Sequence, residues 1–167
     1  MSGMTPDAFY EGFFCEDYAD WKAEPDSIRR AFHVAVSAFH LADHYCRYHQ
    51  RTDTAFARKY KEKNDQGLKE FQEALRRRTP SFKIIQDMAN AYKHLYTRAS
   101  CSVSSGGAIE AVEFDNETVD HEWSEDSATV AIVIRHRDGS VTKFAEAIEQ
   151  AMKMWSETIY QGDPLAI

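Results

Sequence analysis

The chain has 167 residues, of which 43% are hydrophobic and 28% charged, and its net charge is −7. This length suits one domain with one hydrophobic core, and the apolar content excludes an intrinsically disordered chain. The acidic balance argues against a protein that binds nucleic acid over its whole surface.

The sequence contains no apolar run long enough to span a membrane, and its first residues lack the basic and apolar segments of a secretory signal. We therefore expect a cytoplasmic protein with no membrane partner. Cys15, Cys46 and Cys101 are odd in number and lack the paired spacing of zinc or redox motifs, which indicates reduced thiols. No Gly-rich phosphate loop is visible, and we expect no cofactor and no resident metal.

Residues 7–22 are rich in aromatic and acidic side chains. Aromatic partners four residues apart, such as Phe9 and Phe13, predict a short amphipathic helix that Gly12 weakens. This helix either covers the core or forms an acidic aromatic lid on the basic middle of the chain.

A longer helix is predicted from Asp26, a candidate N-cap, to about Arg51. It has no formally charged residue from Ala31 to Ala42, and apolar residues nearly encircle it. We therefore predict a central, buried helix with one polar stripe. The stripe consists of His33, Ser37, His40 and His44, with Asp43 at its edge.

The stretch 52–78 is charged and predicted to be helical, with a break near Asn64, Asp65 and Gly67. It ends in Arg76, Arg77 and Arg78, which suit the C-terminus of a helix. A further amphipathic helix is predicted over 81–98. Its apolar face contains Phe82, Ile85, Met88, Ala89, Tyr92, Leu95 and Tyr96, and its polar face includes Asp87, Asn90, Lys93 and His94.

The composition then changes to small residues at 99–108, which predicts a loop. Alternating residues and the Asp138–Gly139 turn signal predict a small antiparallel meander, with strands at 108–114, 118–123, 129–137 and 140–144. A last helix, 144–160, is predicted to pack back on the bundle. The predicted fold is mainly α (α+β): an up-and-down helical bundle with a small antiparallel β-meander inserted before the C-terminal helix. We predict a single domain over 1–167, with a helical part (1–98), a β insert (108–144) and the C-terminal helix (144–161).

Charge is distributed unevenly along the chain. Residues 1–46 carry 3 basic and 8 acidic groups, residues 47–98 carry 13 and 6, and residues 99–167 carry 4 and 13. The positive middle either attracts a phosphate-bearing partner, with Arg76, Arg77 and Arg78 as its contacts, or is neutralised within the fold by the acidic ends.

Two motifs carry side chains with useful chemistry. HLADH contains His40, Asp43 and His44, and DMANAYKH contains Asp87, Asn90, Lys93 and His94. Residues three, four or seven apart share one face of a helix, so we expect two antiparallel helices to bring both sets into one cleft. The alternatives are a buried histidine cluster satisfied by the backbone and an ordinary solvent-facing helix side.

The FHLAD and DMANAYKH segments resemble a group of bacterial helical proteins akin to the HEPN superfamily, over roughly residues 27–98. The resemblance implies a helical bundle that often dimerises, and many HEPN proteins are metal-independent ribonucleases of toxin or defence systems. HEPN nucleases carry an Arg followed a few residues later by a His. The nearest counterpart here is Asn90, Lys93 and His94, where Lys offers a point charge in place of the two bonds of Arg.

Three functions follow as hypotheses. The first is a non-catalytic binding module for a protein, a nucleotide or RNA, with His40, Asp43, Asp87 and the three arginines as binding residues. The second is a metal-independent endoribonuclease in which His94 transfers protons, Lys93 stabilises charge on the phosphate and Asn90 orients it. The third is a metal site shared by His40, His44, His94 and a carboxylate.

Overall fold

The computed structural model describes residues 4–61, 65–94, 96–114 and 129–161. Its α-helices are α1 (Pro6–Phe9), α2 (Glu16–Ala23), α3 (Ile28–Thr52), α4 (Thr54–Lys59), α5 (Gln66–Arg78), α6 (Ser81–Lys93) and α7 (Phe144–Tyr160). The strands are β1 (Ile109–Phe114), β2 (Thr129–Arg135) and β3 (Val141–Lys143). None of the described helices is both long enough and apolar enough to cross a membrane.

Helix α3 lies at the centre of the bundle, as its sequence predicts. It packs against α5, α6 and α7, and eleven of its residues are buried. The indole of Trp155 on α7 donates a hydrogen bond of 3.0 Å to the carbonyl of Ala38, entirely inside the core. The predicted cap is displaced by one position, because Ser27 rather than Asp26 accepts the bond from the Arg30 amide.

The N-terminal segment covers the core. Helices α1 and α2 are joined by a π-helical stretch, Tyr10–Cys15, which contains the weakening Gly12. Phe14 and Trp21 are buried, and the Trp21 ring meets Phe144 of α7 edge-on at 5.1 Å. The segment packs on α3 and α7, so the core-covering alternative describes it better than a lid on the basic middle.

The three strands form one antiparallel sheet in the order β1-β2-β3, immediately before α7. Ile134 on β2 pairs with Ile109 on β1 and is fully buried. Gly139 occupies the predicted turn with a φ of 86°, a conformation that glycine adopts without strain. The mainly helical class with a small sheet before the last helix is thus confirmed, while the predicted strand 118–123 lies outside the described residues.

Helix α6 ends five residues earlier than predicted, at Lys93 instead of Arg98. The following backbone is held by the loop, because the Thr97 amide donates to the Ser104 carbonyl at 3.0 Å. Arg137 from beyond β2 adds a 3.2 Å bond to the Thr97 carbonyl. The predicted apolar face is wrong at its end: Tyr92, in the last turn of α6, is 53% exposed, and Tyr96, beyond the helix, is 78% exposed.

Candidate functional site

Helices α3 and α6 do bring one pair of the predicted site residues together. The Lys93 ammonium lies 2.6 Å from Nε2 of His40, which acts as the acceptor when the ring is neutral. Burial lowers the pKa of His40, and the neighbouring Lys93 charge lowers it further. The imidazole of His40 is therefore neutral near neutral pH.

Asp43 lies beside this pair but is bonded to another helix. Its Oδ1 accepts a 2.8 Å hydrogen bond from the amide of Gln72 on α5, a side chain that is itself buried. Burial raises the pKa of Asp43, while the Gln72 bond and the electrostatic interactions with His40, Lys93 and Arg47 act in the opposite direction. Asp43 thus joins α3 to α5.

The other histidines of the polar stripe lie elsewhere. Nε2 of His44 is 2.7 Å from the carbonyl of Met4, and its ring stacks on Phe9 at 5.0 Å. His94 is exposed at the end of α6. Among the residues that the structure describes, no group of three or more His, Cys, Asp or Glu side chains is arranged to hold a metal ion. The hypothesis that His40, His44 and His94 share an ion is therefore wrong in this structure.

A cleft of about 740 Å³, which we call the basic cleft, lies between α5, α6 and the loop 96–101. Three permanent cations line it: Arg76, Lys83 and Arg98. Asn90 and His94 line it as well, whereas His40, Asp43 and Lys93 do not. The prediction of one common cleft is thus wrong, because Lys93 contacts His40 on α3 while Asp87 and Asn90 of the same helix line the basic cleft.

Asp87 is a buried anchor of the cleft wall. It is 1% exposed, and both of its oxygens bond the ammonium of Lys83. Oδ2 also accepts bonds of 2.7 Å from the amide and from the hydroxyl of Ser102. With its oxygens occupied in this way, Asp87 holds the loop against α6 instead of offering a free acceptor to a ligand.

The three arginines at the end of α5 have three different environments. Arg76 lines the basic cleft and bonds both Glu73 and the side-chain carbonyl of Gln86, the latter at 2.6 Å. Arg78 points to α7, where it bonds Glu157 at 2.6 Å and Thr158 at 3.2 Å. Arg77 is exposed and lies outside the basic cleft. A single arginine cluster, as the sequence suggested, is therefore not formed.

The sequence reading missed several residues of the basic cleft. The sequence predicts a helix at Tyr96 and Arg98 and a loop at Cys101, yet all three line the cleft. Burial raises the pKa of the Cys101 thiol, and the nearby Asp87 carboxylate adds to this effect. All three cysteines are free, as predicted. The one available signal was the small-residue composition after residue 98, which marks where the helix cannot continue.

Comparison with known proteins gives no relative for this chain: no protein-family model matches it, and neither a curated protein nor a solved structure is significantly similar. The likeness to HEPN proteins stays a prediction from the two short motifs.

Proposed function

We propose that the chain is a non-catalytic binding module that holds a phosphate-bearing ligand, a nucleotide or a short piece of RNA, in the basic cleft. The observation that carries this proposal is the composition of the cleft wall, where three permanent cations and His94 surround about 740 Å³ of open volume. Ligand sites for small molecules commonly have volumes of roughly 300 to 1,000 Å³.

The charge balance inside the cleft supports an anionic ligand. Its two carboxylates, Glu73 and Asp87, are each bonded to a cation of the same wall, Arg76 and Lys83. Within the described part of the chain, Arg98 forms no ion pair. Arg98 is thus the cation most accessible to a phosphate, and Arg76 retains its Gln86 contact beside it.

Tyr96 supplies a second element of recognition. Tyr96 is 78% exposed although it lines the cleft, so an aromatic side chain is available next to the cations. Stacking on an aromatic ring accepts any base, while the cations hold the phosphate. This combination favours a nucleotide or single-stranded RNA over a protein partner.

The catalytic alternative has less support. A ribonuclease would need Lys93 close to the phosphate that His94 and Asn90 address, and Lys93 instead contacts His40 outside the cleft. His94, which this alternative requires for proton transfer, lines the basic cleft. Formation of a homodimer, expected from the HEPN resemblance, is a separate prediction.

Fluorescence anisotropy with fluorescein-labelled ATP and with a labelled short RNA tests the proposal. We expect Arg98→Gln and Arg76→Gln each to weaken binding roughly tenfold, since a hydrogen bond to a charged group contributes about 1.5 to 3 kcal/mol. Binding should also weaken steeply as salt rises from about 50 to 200 mM. Arg77→Gln, which removes the same charge one residue away and outside the cleft, is the matched control and should have little effect.

Equal losses of affinity in the Arg77 and Arg76 variants, or an affinity that does not depend on salt concentration, would show that the ligand does not bind in the basic cleft. A second experiment tests for cleavage: the same RNA is incubated with the protein in the presence of a chelator and then recovered. We expect the recovered RNA to be intact. Cleavage that disappears in His94→Ala would replace the binding module with the ribonuclease.

A further inference from the structure

A second cleft, of about 520 Å³, lies at the other end of α7 from the sheet. Its walls come from α1, the π-helical stretch, the junction of α3 with α4, and the last turn of α7. It shares no lining residue with the basic cleft. We call it the acidic aromatic cleft, and the inference drawn from it is independent of the function proposed above.

Aromatic rings form much of its wall. Tyr48 and His49 meet edge-on at 5.3 Å, and His49 lies 5.5 Å from Phe56. Tyr160 faces them from α7 and is 59% exposed. The faces of tyrosine and phenylalanine rings carry negative potential and attract cations within about 6 Å.

Three carboxylates from three different parts of the chain line the same cleft: Asp7, Glu11 and Asp53. Glu11 accepts a 2.9 Å bond from the Tyr160 hydroxyl, and Asp53 accepts bonds from the amides of Ala55 and Phe56. These bonds fix the positions of two carboxylates without neutralising them. The described residues that line the cleft include no Lys and no Arg.

The absence of a cation at these three carboxylates contrasts with acidic residues elsewhere on the described surface. Glu73, Glu110 and Glu157 each pair with an arginine. Within the described part of the chain, Asp7, Glu11 and Asp53 form no ion pair. Among the described residues, the cleft therefore brings together three carboxylates that form no ion pair and several aromatic rings.

We propose that the acidic aromatic cleft binds an organic cation with several alkylammonium groups. The three carboxylates come from three different segments of the chain, and among the described residues no cluster is arranged to hold a metal ion. A ligand whose ammonium groups are separated by methylene chains matches separate charges, and its methylenes pack on the rings. Such ammonium groups occur in free polyamines and in lysine-rich peptides.

The test is a titration of the ¹⁵N-labelled full chain with spermidine, followed by NMR at constant ionic strength. We expect saturable shifts at the amides of Tyr48, His49, Phe56 and Tyr160. Glu11→Gln and Asp53→Asn remove charge but keep the acceptors for Tyr160 and for the α4 N-terminus, so each variant should stay folded. Each is expected to weaken binding by at least threefold, and Tyr48→Leu by a similar factor.

Glu146→Gln is the matched control, because it removes one exposed negative charge at the opposite end of α7, about 20 Å away at 1.5 Å per residue. We expect it to leave spermidine binding unchanged. A blocked tri-lysine peptide is titrated in parallel: tighter binding of spermidine identifies a free polyamine as the ligand, and tighter binding of the peptide identifies lysine side chains. No saturable shift with either probe, or an equal loss in the Glu146 and Glu11 variants, overturns the proposal.

Discussion

Replacing Asp87 by alanine should be among the more damaging single changes in this chain. The carboxylate is 1% exposed and accepts bonds from the Lys83 ammonium, the Ser102 amide and the Ser102 hydroxyl. Alanine removes all of these acceptors together. The loop that forms one wall of the basic cleft then loses its attachment to α6.

The expected loss of stability depends on whether Lys83 and Ser102 can replace the bonds that they made to Asp87. Lys83 is 38% exposed and can turn its ammonium into water, so its own cost is small. The two Ser102 groups lose bonds to a charged acceptor, each worth about 1.5 to 3 kcal/mol. We expect Asp87→Ala to lower the free energy of unfolding by about 3 kcal/mol, at the lower end of values for breaking a buried pair. Asp87→Asn keeps an acceptor for Ser102 and should cost about 1 to 2 kcal/mol.

Urea denaturation followed by circular dichroism measures these differences, with an unchanged m-value expected. Thermal unfolding of a chain of this size should shift by about 2 to 4 °C per kcal/mol, hence roughly 6 to 12 °C for the alanine variant. A loss below about 0.5 kcal/mol for Asp87→Ala would mean that the Ser102 bonds are readily replaced by water, and the role of Asp87 as an anchor would be wrong.

Other predictions concern the arginines and the α3–α6 contact. Arg78→Ala should lower the free energy of unfolding by about 1 kcal/mol, because the guanidinium bonds Glu157 on α7. Arg77 is exposed, so Arg77→Ala should change the free energy of unfolding by no more than about 0.5 kcal/mol. Equal effects of the two variants in urea melts would contradict this difference. The folded-state pKa of His40 lies below its usual 6.5, so the unfolded chain binds that proton first and stability should fall as the pH drops through about 6.5. His40→Gln should flatten this fall, and urea melts at pH 5 and pH 7 that leave it unchanged would refute the prediction. The pKa of Asp43 is raised in the folded state, so the contribution of its protonated form to the free energy of unfolding is lost as the pH rises through that pKa. Asp43→Asn should therefore be at least as stable as the parent near pH 7. A clearly lower free energy of unfolding for this variant in the same melts would contradict the prediction.

The sequence alone determined the class of fold and the place of most elements, because periodicity reports directly on which face of an element is buried. Helix α3 illustrates this, since the lack of formal charge from Ala31 to Ala42 predicts a central position, and Leu41 is fully buried. The Asp138–Gly139 turn could also be predicted from the local sequence, because the positive φ of the turn is one that glycine itself adopts readily.

The candidate sites depended on contacts between distant residues, which only the tertiary structure decided. Helical periodicity continued through Tyr96, yet α6 ends at Lys93, and the backbone of Thr97 beyond it bonds Ser104 and Arg137 in place of helical partners. Lys93 contacts His40 on α3, whereas the next residue, His94, lines the basic cleft. The arginines at the end of α5 look equivalent in sequence, but Arg76 bonds Gln86 on α6, Arg78 bonds Glu157 on α7, and Arg77 is exposed.

The acidic aromatic cleft shows the same limit most clearly. Glu11 and Tyr160 are 149 positions apart and meet at 2.9 Å. Neither residue carries a local signal for this contact, because an exposed Glu and a Tyr near a helix end are ordinary surface residues. Their meeting depends on how the N-terminal segment and α7 pack on α3. Local pattern therefore specifies which elements form, whereas the packing of elements on one another specifies which side chains share a cleft.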